Sequence, residues 1–143
     1  MGKINLSRLL LGGIVAGIVG DVLGYLVDGL LLAPQWSDAM LTLGRNEFSN
    51  TQIAEFNMIG IVFGMVSILI YVGFRPLFGA NWKTAIYAGV TAWVIGVFLP
   101  NVSFMYVTGL FSKHLTLYTT SGALVEVVAG TVAGAFLYKP KKS

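Results

Sequence analysis

The chain has no cysteine, only four prolines and one histidine, and charged side chains make up just 10% of its 143 residues. Each scarcity excludes something. Without cysteine there is no disulfide, no thiolate nucleophile and no cysteine metal site. So little charge, beside a hydrophobic fraction of 56% and a mean hydropathy of +0.80, excludes an ordinary soluble domain. The net charge of +3 is no nucleic-acid signal, because the basic residues sit at the ends of apolar runs rather than on a patch. No phosphate loop, zinc signature, serine elbow or dinucleotide fingerprint is present, so the chain is not expected to be an enzyme. Nor is a removable signal peptide expected. The first apolar run is too long, contains Asp21 and Asp28, and leads into Ala33-Pro34.

What is there is four apolar runs, from about Leu9 to Ala33, Ile53 to Phe74, Trp82 to Tyr106 and Leu115 to Tyr138. They predict one all-α integral membrane domain over 1–143, a bundle of four transmembrane helices. Lys3, Arg8, Arg75, Lys83, Lys139, Lys141 and Lys142 fall on one side, and only Arg45 and Lys113 on the other. That asymmetry predicts both termini in the cytoplasm. Pro100 is expected to kink the third span or end it early, with Asn101, Ser103 and Thr108 satisfying the freed backbone groups. Between the first two spans, Pro34 to Glu55 forms the one long loop. Trp36, Met40 and Leu43 fall at helical spacing there until Gly44, which predicts a short interfacial helix. Ser49, Asn50 and Thr51 offer caps for the second span.

The residues with the greatest potential for chemistry are acids inside the spans. Asp21 lies thirteen positions after Arg8, and Glu126 lies thirteen before Lys139. At about 1.5 Å per residue each carboxyl is about 20 Å from its basic anchor, deep within a hydrocarbon core about 30 Å thick. Apart from Lys83 at the very start of the third span, no basic residue lies within any span to neutralise them. Their partners must be protons, hydroxyls, water, a cation or another subunit. Gly13, Gly17, Gly20, Asp21, Gly24 and Asp28 share one arc of the first helix, and Gly122, Glu126, Ala129, Gly130 and Ala133 share one arc of the fourth. Stripes of small residues let membrane helices approach closely, so the first and fourth helices are expected to touch along them and bring Asp21 and Glu126 together. Asn57, on a face of the second span with Gly60, Gly64, Ser67 and Tyr71, is a candidate partner for Asp28. His114 reads as a headgroup-level residue rather than a metal ligand.

An internal similarity relates the two halves. Asn5, Gly13, Ala16, Gly20 and Leu23 align with Asn81, Gly89, Ala92, Gly96 and Leu99, and the second and fourth spans both end in a basic-Pro pair, Arg75-Pro76 and Lys139-Pro140. This is the pattern of two tandem helical hairpins. The Arg8…Gly12-Gly13…Ala16-Gly17 opening, the Gln35-Trp36…Ala39-Met40…Leu43-Gly44 segment, Arg75-Pro76 and Glu126 together resemble small four-helix bacterial inner-membrane proteins with no assigned function. The resemblance implies a multi-pass inner-membrane location and transfers no activity. The residues admit three functional readings. The first, favoured because the spans offer neither a charged partner nor a cofactor ligand, is a structural or accessory subunit whose glycine seams bind a second copy or a larger membrane complex. The second is an oligomeric proton-coupled carrier or cation channel that uses Asp21, Asp28 and Glu126. The third is a binder of an apolar ligand such as a lipid, quinone or pigment. The bilayer is the one partner common to all, and no particular cofactor is implied.

Overall fold

The computed structural model describes residues 4–140, and every long element in it is a helix. Four are long and apolar enough to cross a membrane: α1 (Leu6–Leu31), α3 (Asn50–Phe78), α4 (Trp82–Val107) and α5 (Lys113–Leu137). The fifth helix, α2 (Ala33–Thr42), occupies the first connection. Local chemistry sets most of the ends. Asn5 and Asn81 accept hydrogen bonds from the backbone N–H groups of Arg8 and Thr84, and so cap α1 and α4. Ser49 and Gln52 form a reciprocal capping box at α3, and Ser112 caps α5. Gly44, at φ +68°, comes after α2, and Gly79, at φ +83°, closes α3 three residues beyond Pro76.

Two spans are not α-helical throughout. Residues Tyr25–Leu31 of α1, and Val94–Phe98 and Val102–Val107 of α4, form wider π-helical turns. Each such turn takes up an extra residue and rotates the rest of the helix about its axis. Pro100 therefore does not end the third span, which runs on to Val107. The wide turns on either side accommodate its missing donor. Thr108 does donate to the Phe104 carbonyl, but Asn101 turns away from the backbone and donates to Thr120 Oγ1 at 2.9 Å.

The helices close a ring in which α1 packs on α3 and α5, and α4 packs on the same two, with α3 and α5 also touching across it. The start of α1 and the end of α5 meet at one face, where the backbone N–H of Asn5 donates to the Tyr138 hydroxyl at 3.4 Å. The main cluster of buried apolar side chains lies in this half. Leu9, Ala16, Ile68, Tyr71, Ala85, Ala88, Ala135 and Tyr138 form it, with Ile68 and Ala88 wholly enclosed. The opposite half, towards α2, is where the polar contacts gather.

The seams are closer than side chains would permit. A Cβ on Gly64 would lie 2.8 Å from Gly17 Cα, and one on Gly12 would lie 2.7 Å from the Gly134 carbonyl oxygen. The stripe on α1 is, however, shared between two neighbours rather than given wholly to the fourth span. Gly13 and Gly17 meet Met65, Gly60 and Ile61 of α3, whereas Gly20 and Gly24 meet Glu126 of α5. Across that second seam Gly130 meets the Ala16 backbone and Gly122 meets the Val27 side chain. An arc of about 100° on a straight helix is wide enough to touch two neighbours, and in a ring of four it does.

Candidate functional site

The three half-buried acids of the spans lie outside that apolar cluster, from the middle of the bundle to its α2 end. Asp28 sits within the wide turns of α1, which aim it at α5 and α2 rather than along the stripe that carries Asp21. It accepts from Trp36 Nε1 at 2.9 Å and from Thr119 Oγ1 at 2.7 Å. Its partner is therefore not Asn57, which is exposed on α3. Trp36 in turn packs edge-on against Phe48 at 6.0 Å and Phe111 at 5.6 Å. Thus α2 is fastened across this end of the bundle by one indole that meets both an acid and two rings.

Asp21 and Glu126 stand at the same depth, because the backbone of Glu126 faces Gly20. Their side chains take different directions. The Asp21 carboxyl lies against Gly60 of α3, in space that exists only because Gly60 has no Cβ. The Glu126 carboxyl lies against α1, where a Cβ on Gly24 would come within 3.3 Å of Oε2. Glu126 Oε1 is enclosed by protein and meets no hydrogen-bond partner. The two acids are thus neighbours across one seam and not a pair joined through that oxygen. Both Asp28 and Asp21 are within electrostatic reach of Glu126.

Above Glu126 the bundle is open. Val27, Leu31, Leu32, Gln35, His114, Tyr118, Ser121 and Gly122 line a cleft of about 550 Å³ between α1, α2 and α5. Its floor is thin, since a Cβ on Gly122 would lie 3.5 Å from Glu126 Oε1. Its wall holds a second enclosed acceptor without a partner, Gln35 Oε1. At its mouth the His114 ring lies 4.3 Å from that of Tyr118 and is tilted 41° to it. Among the described residues no three His, Asp or Glu side chains converge as metal ligands would.

Several of the residues that build this half are not among the sequence candidates. Thr119 receives no signal from spacing, because it is 91 positions from Asp28. Thr120 is gripped from α4 twice, by Asn101 at its hydroxyl and by Trp93 Nε1 at its carbonyl, 2.9 Å away. Polar residues inside an apolar run are the available hint. No family model, curated protein or solved structure matches the chain.

Proposed function

We propose that the chain is a small carrier in which Glu126 exchanges a proton for an organic ammonium ion that enters through the cleft above it. The observation that carries this reading is the enclosed Glu126 Oε1 without a partner, one glycine away from the cleft floor. A buried acceptor left unpaired costs about 1–3 kcal/mol, and more when charged, which a bound donor would recover. An ammonium group supplies both charge and N–H donors, for Glu126 and for Gln35 Oε1 on the wall. The aromatic mouth of Tyr118 and His114 suits a cation carrying an apolar body. An accessory-subunit role would use Glu126 as an interhelical hydrogen-bond donor, and the unpaired oxygen weighs against it. The unpaired acceptors likewise favour a donor-bearing solute over a purely apolar ligand.

The same proposal includes the setting. The chain lies in a bacterial inner membrane as a homo-oligomer or within a larger membrane complex, both termini cytoplasmic and α2 outside. The basic asymmetry supports this orientation, although Lys3, Lys141 and Lys142 lie outside the described residues. Cysteines introduced one at a time at Ser49 and Ala80 are expected to react with a membrane-impermeant thiol reagent from opposite sides of intact cells. Labelling of both from the same side would exclude the four-span topology. The two halves are read as tandem hairpins, supported by matched asparagine caps at Asn5 and Asn81. Wide turns in matched positions, Tyr25–Leu31 and Val102–Val107, support it too. Sites between such repeats near the membrane midplane are where carriers place their substrates.

The gap at Gly122 provides the test. Gly122→Ala adds a methyl that would lie 2.6 Å from Val27 Cγ1 and screen Glu126 from the cleft. Binding of 2-phenylethylammonium to the purified protein, measured by calorimetry, is expected to weaken about tenfold, because the methyl separates the ammonium from the carboxyl and weakens one charge-assisted contact. Unchanged affinity would show that the solute does not reach Glu126 by this route.

A further inference from the structure

A second cavity lies at the opposite end of the bundle, on the face where α5 ends, and α3, α4 and α5 leave a space there of about 210 Å³. It is smaller than the range of about 300–1,000 Å³ usual for drug-sized ligands. Its wall includes Tyr71, Arg75, Asn81, Trp82, Tyr138 and Lys139. Arg75 is held there by aromatic faces, its Cζ 5.1 Å from the centre of the Tyr138 ring and 5.9 Å from that of Tyr71. Those rings meet edge-on at 6.4 Å, and the Tyr138 hydroxyl is fixed by the backbone N–H of Asn5. Stacking orients the guanidinium plane and leaves its N–H edge unused. Nε is enclosed and has no acceptor.

Among the described residues no acid can supply one. The chain's six carboxylic side chains are Asp21, Asp28, Asp38, Glu47, Glu55 and Glu126. All belong to the middle of the bundle or to its α2 end. A stacked arginine with a free donor edge, a lysine beside it and no side-chain acid in reach among the described residues suits an anion from outside the chain. The surroundings point to its source. Trp82 and Phe136, both on the wall, are 57% and 73% exposed at the end of membrane-spanning helices, where acyl chains would lie against them.

We propose that this cavity binds the phosphate of an anionic phospholipid headgroup. Arg75 donates to the phosphate oxygens and Lys139 adds a second positive charge.

The full chain, purified in a mild detergent and supplied in turn with phosphatidylglycerol, phosphatidylcholine or inorganic phosphate, tests this by native mass spectrometry and thermal unfolding. Phosphatidylglycerol is expected to remain bound and to raise Tm, and the other two are not. Arg75→Gln and Lys139→Gln should each lower retention about tenfold, the loss of one charge-assisted contact. Arg75→Lys should fall between, because it keeps the charge but not the fork, and Arg45→Gln, on the far side, should match the wild type. If Arg75→Gln does not fold, exposed Lys139→Gln carries the test. Equal retention of phosphatidylcholine, or undiminished phosphatidylglycerol binding in Lys139→Gln, would overturn the site. Equal stabilisation by inorganic phosphate would overturn the lipid as its source.

Discussion

Gly64→Leu is expected to prevent the bundle from closing, with a loss of about 3 kcal/mol or more, at the upper end of the effect of overpacking. The reason lies in what Gly64 touches. Even its Cβ would come 2.8 Å from Gly17 Cα, and backbone cannot move aside as a side-chain tip can. The seam between α1 and α3 would have to part along its length, and Asp21 would lose its place beside Gly60. Apolar helices in lipid gain nothing from mere hydrophobicity when they associate, so lost close packing has no substitute. Gly73→Leu on the same helix is the control, because nothing lies within 4 Å of where its Cβ would stand. Size-exclusion behaviour and thermal unfolding in detergent should separate the two variants sharply. Equal behaviour would mean that α1 and α3 do not meet there.

Glu126→Gln is expected to abolish proton-driven uptake of 2-phenylethylammonium into proteoliposomes while leaving assembly unchanged. The amide keeps the shape and hydrogen-bonding capacity of a protonated acid, so the seam with Gly20 and Gly24 survives. It carries no charge to attract a cation and no proton to exchange. Loss of one partner from a desolvated ion pair costs about 3–5 kcal/mol, so cation affinity should fall at least about a hundredfold. Asp28→Asn should affect uptake less, because Asp28 is already engaged by Trp36 and Thr119. Uptake at the wild-type rate in Glu126→Gln would leave the acid with a packing role only.

The helical class and the four spans are legible from apolar run length and low charge, since a bilayer leaves a chain few other options. The caps are legible as well, because Asn81 and Ser49 act within three residues of themselves. The direction of side chains is not. Spacing counted at 3.6 residues per turn puts Asp28 beside Asp21, and the wide turns of Tyr25–Leu31 rotate it towards Thr119 instead. Apolar residues in lipid give no periodic signal for such a turn. Asn57 fails as a partner for the same reason, its depth being readable and its azimuth not. The Arg75 stack is also hidden from the sequence. Its rings come from α3 and from the residue after α5, 67 positions apart.

Competition between proton and cation at Glu126 is best measured as the affinity of 2-phenylethylammonium for the purified wild-type protein between about pH 5 and pH 8, where the amine stays charged throughout. Protonation removes the charge that holds the cation, so lowering the pH is expected to weaken binding. At a fixed pH, one bound cation should release up to one proton into a weakly buffered solution. In Glu126→Gln both effects should vanish. Affinity that does not change with pH in the wild type, or a pH dependence that persists undiminished in Glu126→Gln, would contradict exchange at this carboxyl.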